Sequence, residues 1–434
     1  MRVAGKPHWH QRGLALVLLL VLAHAACGSA ALRQVTSEHF AIFYEQDSGA
    51  VSKSYLQLVE QGLESAYAFF AIKGFAAFPG LIRVNILSVA EAEGIMGHEY
   101  LDRNENGDLV PVIGIAPESV MNGGYGYANT ATSLEDLVLS TCAHELFHTI
   151  QDYHSLHGSG DMSEESFVEP HATAVQEVVV PSANDYLAPA LDFLLAPDST
   201  AFFNRSYDAA IFWVYVLDHF GVRAILDVMA SSVVFDGRHA IDHAFAPAGL
   251  SFLDVWTHFA VALATGQVPD SNVIATLVRQ ADSPSLWTKT AGPPPLPPVV
   301  FRETWKGTSI TAARVNASNA FAYRPPSEDD EIGTSLKVAH AYGIDVLEIV
   351  MDRAAPLTIQ FNGDASSTFR TTVAYLEGSR WTSLPFTESI SLQPTKDVTF
   401  IRVIVTRSEG GTGKYSLTIR PKVPGSAKTL DQSG

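Results

Sequence analysis

Residues 141–151 read Thr141-Cys142-Ala143-His144-Glu145-Leu146-Phe147-His148-Thr149-Ile150-Gln151. Upstream, Leu134, Leu137, Val138 and Thr141 recur at helical spacing and give the segment a buried face. Thr132 and Glu135 form a capping-box pair that predicts a helix start about ten residues before the first histidine. An α-helix turns about 100° per residue, so His144 and His148 project from nearly one face, a turn apart. Two imidazoles so placed can hold one metal ion, and Glu145, pointing to the side, can reach a water on that ion. A core helix whose histidines are satisfied by hydrogen bonds is the plain alternative. It gives no reason for a carboxylate beside them.

If the ion is Zn²⁺, it lowers the pKa of its water to roughly 7, and Glu145 then acts as the base that deprotonates it. Catalytic zinc usually takes a third protein ligand. His154 follows His148 at the spacing of H-E-x-x-H-x-x-G-x-x-H, but Gln151 stands where that pattern needs a glycine to break the helix. In a continuing helix His154 turns about 240° away from His148. Glu169 is the better placed candidate, within Ser163-Glu164-Glu165-Ser166-Phe167-Val168-Glu169 and leading into the helical segment Pro170 to Glu177.

The stretch Ala143 to Gln151, followed by Phe167-Val168-Glu169-Pro170-His171-Ala172, resembles the gluzincin-type (peptidase MA-like) H-E-x-x-H zinc metallopeptidases. In that group a ligand Glu sits on a later helix, often within a W-x-x-E-G-x-A-like sequence. Phe167 and Pro170-His171 depart from it, and Glu164 and Glu165 are competing carboxylates. The resemblance covers roughly residues 35–265 and is specific over some thirty of them. It implies that His144, His148 and Glu169 bind zinc and that Glu145 is general base and later proton donor. It also implies an oxyanion donor from the following helical half. Tyr207 is the first candidate, with His154, His157 and His171 as alternatives.

Outward from this segment, the N-terminus reads as an export signal. Arg2, Lys6 and Arg12 precede an apolar run from Leu14 to Ala23 and the small residues Ala25 to Ala30. The expected location is extracellular. Cys27 offers a lipid-anchor alternative, although His24 stands where a lipobox carries an aliphatic residue. With only Cys27 and Cys142 in the chain, no disulfide framework is expected, and Cys142 reads as a core residue.

Phe40 to Tyr44, Leu81 to Leu87 and Val110 to Ile115 read as strands, Val51 to Phe70 as a helix, and Thr132 to about Gly266 as mostly helical. Gly292 to Pro298 is a stiff proline-rich linker. Beyond it, Val346 to Val350, Leu357 to Phe361, Thr371 to Tyr375, Val398 to Val405 and Tyr415 to Ile419 are short β-rich runs, separated by turn signals such as Asn362-Gly363 and Gly410-Gly411. The expected fold is α+β: a zincin-like metallopeptidase domain (a small N-terminal sheet plus a helical half) and then a C-terminal all-β sandwich. The expected divisions are a signal peptide at 1–30, the catalytic domain at 31–291, the linker at 292–298, the accessory domain at 299–422 and a tail at 423–434.

Two weaker motifs complete the reading. Asp102 to Asp108 resembles half a Ca²⁺ loop, but the twelfth position is Ile113, so an EF-hand is excluded and a polar turn preferred. Gly123 to Tyr127 is glycine-rich without the lysine and hydroxyl pattern of a phosphate loop. With a formal net charge of −18, nucleic acid is not an expected partner. The expected function is a secreted zinc endopeptidase acting on protein or peptide, its β-rich tail serving substrate, polysaccharide or cell-surface binding, or export. An aminopeptidase lacks its G-x-M-E-N amine anchor here. A non-catalytic cell-surface binding protein that keeps the metallopeptidase-like fold is the alternative from another class.

Overall fold

The computed structural model describes residues 32–45, 51–123, 133–157, 165–195, 197, 201–235, 237–281, 299–305, 310–312, 336–337, 342–351, 354–408 and 414–421. The expected export signal, the 292–298 linker, Gly410-Gly411, the tail and all but the first residue of the 123–127 glycine-rich stretch lie outside them. The chain divides into two compact units, and the division falls inside a single helix, between Thr149 and Ile150.

The first unit contains β1 (Leu32–Thr36), β2 (Phe40–Glu45), α1 (Lys53–Lys73), β3 (Ile82–Ile86), β4 (Gly97–Arg103), β5 (Leu109–Ile115), the short α2 (Glu118–Asn122) and the first part of α3 (Leu134–His157). Its sheet runs β1-β2-β3-β5-β4. The central strands β2, β3 and β5 are parallel, and β1 and β4 lie antiparallel at the edges. The parallel strands supply the buried apolar face, with Phe40, Ile42, Val84 and Ile113 in the core. Helix α1 starts where Ser52 Oγ accepts the Tyr55 amide at 3.1 Å. Its stripe of Val59, Leu63, Ala66 and Phe70 is buried, and Phe70 and Phe75 pack on Phe147 of α3 with ring centroids 5.6 and 5.4 Å away.

The capping of α3 differs by one residue from the Thr132–Glu135 pair. Ser133 Oγ accepts the Asp136 amide at 3.0 Å and donates to the Asp136 carboxylate at 2.7 Å. The same hydroxyl-x-x-acid pattern recurs one residue on, and that register is the one the helix uses. Cys142 is a free, fully buried thiol that donates to the Val59 carbonyl at 3.7 Å. Burial, and then the nearby Glu145, push its pKa up. Asp102 and Arg103 end β4, and residues 104–108 form the turn to β5. Asn104 Oδ1 accepts the Asn106 and Asp108 amides at 3.0 and 2.9 Å, so that oxygen is spent on the turn and not on a cation.

The second unit takes the end of α3 and continues through α4 (Glu165–Val179), α5 (Leu187–Leu195), 3₁₀ turns at Phe202–Asn204 and Tyr207–Ala209, α6 (Ala210–Phe220), α7 (Val222–Ser232), α8 (Gly237–Phe245), α9 (Phe252–Thr265) and α10 (Ser271–Ala281). Aromatic rings of Phe202, Phe212, Phe252, Trp256 and Phe259 fill its helical core, with ring centroids about 5–6 Å apart. Among the described residues no single helix is long and apolar enough to cross a membrane.

The rest of this unit is β-rich: β6 (Val299–Trp305), β7 (Ile310–Ala312), β8 (Leu336–Lys337), β9 (Ile344–Met351), β10 (Leu357–Gly363), β11 (Phe369–Glu377), β12 (Arg380–Phe386), β13 (Ser389–Leu392), β14 (Val398–Arg407) and β15 (Lys414–Pro421). One sheet runs β13-β10-β15-β7 with β8 also on β15; the other runs β12-β11-β14-β9-β6. All pairings are antiparallel except β6 with β9. The packing between them is sandwich-like: Ile359, Leu417 and Ile419 of one sheet share a core with Leu347, Val373 and Val403 of the other. Asn362-Gly363 is not a turn. It closes β10, paired with Ser416 and Tyr415, and the chain turns at Asp364 instead. Gly363 serves close approach, since a Cβ there would meet the Phe369 and Phe361 rings at 2.7 and 2.8 Å.

The outer face of the second sheet packs on α9. Thr257 and Thr406 hydroxyls meet at 3.2 Å. Fully buried Arg402 pairs with Glu348 at 2.9 Å, donates to the Ala264 carbonyl at the end of α9, and lies over the Trp381 and Phe400 rings. A mixed α/β architecture, N-terminal sheet with helices and then a β-rich region, is therefore present as expected.

Candidate functional site

His144 and His148 lie one turn apart on α3, as their spacing dictates, with Nε2 atoms 3.0 Å apart and rings at 81°. At that separation only one of the facing nitrogens can carry a proton toward the other, so the pair presents at least one lone pair inward. His144, His148 and Glu169 each offer a ligand atom, and these atoms lie within 4.8 Å of one another. Two imidazoles and a carboxylate are a nitrogen-and-oxygen donor set that suits a divalent first-row metal, and three protein ligands leave a position open. The residues fit a metal ion.

Glu145 is buried at 5% exposure. Its side chain lies against the backbone of β4, and a Cβ at Gly97 would sit 2.6 Å from its Oε1, 2.7 Å from Cγ and 2.9 Å from Cδ. Gly97 is there because nothing larger fits. Among the described residues β4 pairs only with β5 and so stands at the edge of its sheet.

Glu169 sits on α4, and two contacts fix that helix locally. Pro170 lies inside α4 and has no N–H, so it cannot donate to the Ser166 carbonyl four residues back. Trp213 of α6 takes the vacancy, donating its indole N–H to Ser166 O at 3.2 Å. Gln151 of α3 donates to the Phe167 and Val168 carbonyls at 3.4 and 2.9 Å. Glu169 follows directly in the chain.

The remaining candidates are placed as follows. Helix α3 runs unbroken to His157, and His154, half-buried and held below the ordinary imidazole range by burial, is not in the donor group. His171 is wholly buried, stacked on Phe167 at 5.4 Å and edge-on to Trp213 at 4.1 Å. Burial lowers its pKa to about 3 and keeps it a neutral core residue with no exposed surface. Glu164 lies outside the described residues, and Glu165 is the first residue of α4. Tyr207 opens a 3₁₀ turn at 42% exposure. That turn packs on α4 and α5, and the Arg205–Asp208 ion pair, with Arg205 over the Phe193 ring, braces it.

Three residues do not read from sequence as positioning groups: Gly97, Gln151 and Trp213. Only the last left a signal, because a proline inside a helix frees one carbonyl and calls for a donor from elsewhere. No known family model matches this chain, and no curated protein sequence matches it either.

Proposed function

We propose that this chain is an exported zinc-dependent peptidase of the gluzincin kind. The observation that carries the reading is the convergence of the His144, His148 and Glu169 donor atoms, with Glu145 next in sequence to a donor and held against edge strand β4. His144, His148 and Glu169 hold the metal. A bound zinc supplies Lewis acidity and makes a water acidic enough to be deprotonated near neutral pH. Glu145 takes the proton from the attacking water and returns it to the leaving amine, a transfer that needs a carboxylate fixed in place. An extended peptide can add to a strand at the edge of a sheet by main-chain hydrogen bonds, and β4 holds such a position among the described residues, which favours a chain-like amide substrate over a small ester. Tyr207, exposed on a braced turn, donates to the developing oxyanion.

The test is metal content and caseinolytic activity of the secreted protein and its Glu145→Gln variant. The expected result is about one zinc per chain in both, with activity lost in the variant and lost reversibly from the parent on chelation. Absence of zinc from both, or undiminished caseinolysis by the variant, would refute the proposal and put a non-catalytic binding protein in its place.

A further inference from the structure

A recess of about 550 Å³ opens in the second unit where α6 and α9 meet the outer face of β11 and β12. None of its lining residues belongs to the metal group. The size falls within the range of small-molecule sites, roughly 300–1,000 Å³. Its walls carry the imidazoles of His219 and His258, the Gln267 amide, the Arg370 guanidinium and the hydroxyls of Thr372 and Ser383. Val261, Ala262 and Pro385 supply apolar surface between them.

The chemistry of these walls narrows the ligand. Fixed charge is balanced, because Arg370 stands 3.7 Å from Asp254. The Asp254 carboxylate also caps α9, accepting the Ser251 amide at 3.0 Å and hydroxyl at 2.6 Å, so it is not an open anchor for an amine. An anion would meet a paired guanidinium in a chain of net charge −18. A peptide would have to extend the sheet at β12, the edge strand, and Pro385 in that strand has no N–H to give. His219 spends Nδ1 on the Tyr215 carbonyl at 3.1 Å, which leaves Nε2 as the nitrogen for a ligand. What remains is a lining of hydrogen-bonding side chains, one paired guanidinium and small apolar residues. That pattern matches a ring bearing hydroxyls on its rim and C–H groups on its faces.

We propose that this recess binds a neutral saccharide, one or two rings of a glycan chain. The inference does not depend on the peptidase reading. It is tested with the full chain by saturation-transfer NMR and calorimetry, using cellotriose, maltotriose and chitotriose as probes and inorganic phosphate and tri-lysine as counter-probes. At least one neutral trisaccharide should bind. Arg370→Ala, which removes a half-exposed donor, and Ser383→Trp, which fills the recess from an exposed strand position, should each weaken it at least tenfold. Tm should change little, because Ser383 is exposed and the Arg370–Asp254 pair is partly exposed to solvent. The proposal is overturned if no neutral trisaccharide binds, if binding survives both substitutions, or if phosphate or tri-lysine binds better than every sugar.

Discussion

Replacing Gly97 with alanine puts one methyl group where the Glu145 side chain already is. The added Cβ would lie 2.6, 2.7 and 2.9 Å from Oε1, Cγ and Cδ. Ordinary contact between such atoms is about 3.5–4.0 Å, so the carboxylate or strand β4 must retreat by roughly 1 Å. Gly97 has no positive φ, so alanine adds no backbone strain and the collision is the whole effect. Overpacking of this kind costs about 1–3 kcal/mol of stability. Its larger consequence is for proton transfer, where a misplacement of about 1 Å costs on the order of 100-fold, or about 2.7 kcal/mol in the barrier. Gly97→Ala is therefore expected to lower kcat/KM on a fluorogenic peptide by about two orders of magnitude. Zinc stoichiometry should be unchanged, because the collision is with Glu145 and not with the donor group. The assay is steady-state hydrolysis alongside metal analysis and thermal unfolding. Activity within about twofold of the parent, in a folded and metal-loaded variant, would mean that Glu145 does not work from the position described, and the base assignment would fall with it.

Two further outcomes follow from the supports of α4. Trp213→Phe keeps the ring packing on His171 but leaves the Ser166 carbonyl, already denied a partner by Pro170, without its indole donor. A loss of about 1–3 kcal/mol in urea unfolding is expected, together with weaker zinc retention on dialysis; an unchanged midpoint would show that the bond carries nothing. Glu177, near the end of the same helix, is held protonated: burial, and then the neighbouring Asp185 carboxylate, raise its pKa from 4.5 to about 10. The unfolded chain gives up that proton above pH 4.5 while the folded chain keeps it, so this group's contribution is full below pH 4.5 and declines as pH rises toward 10. Glu177→Gln, neutral at every pH, should flatten the fall of Tm between about pH 5 and pH 9, within those two pKa limits; a variant that loses Tm with pH as steeply as the parent would contradict this.

What could be read from sequence and what could not divides by how far apart the interacting residues lie. The histidine pair was legible because four residues of helix fix its geometry whatever the surroundings. The parallel strands were legible because apolar residues recur at strand spacing, as in β3, where Ile82, Val84 and Ile86 are buried and Arg83 between them is exposed. Strand β4 was not. Gly97-His98-Glu99-Tyr100-Leu101-Asp102-Arg103 has neither an apolar run nor a clean alternation, and only its pairing with β5 makes it a strand. Asn362-Gly363 misled for the opposite reason. Its local preference is for a turn, but the ladder to β15 and the rings over Gly363 outweigh that preference. The β-rich runs were visible as strands, whereas the burial of Arg402 under α9 depends on residues far away in sequence, and nothing local announces it.

In the proposed metal site, the choice between His154 and Glu169 as third donor turns on one residue. For His154 to reach the ion, α3 would have to break near residue 151, and a glycine there would allow it. Gln151 removes that option twice. It continues the helix, which runs on to His157 and carries His154 round to another face. Its amide also binds the Phe167 and Val168 carbonyls, the two that immediately precede Glu169. The side chain that closes the route to a third histidine is thus the one that contacts the helix carrying the carboxylate donor. Gln151→Gly would lose both effects together, freeing α4 at Val168 without having placed His154, so a histidine-for-carboxylate exchange of the donor set is not open to this chain by single substitution.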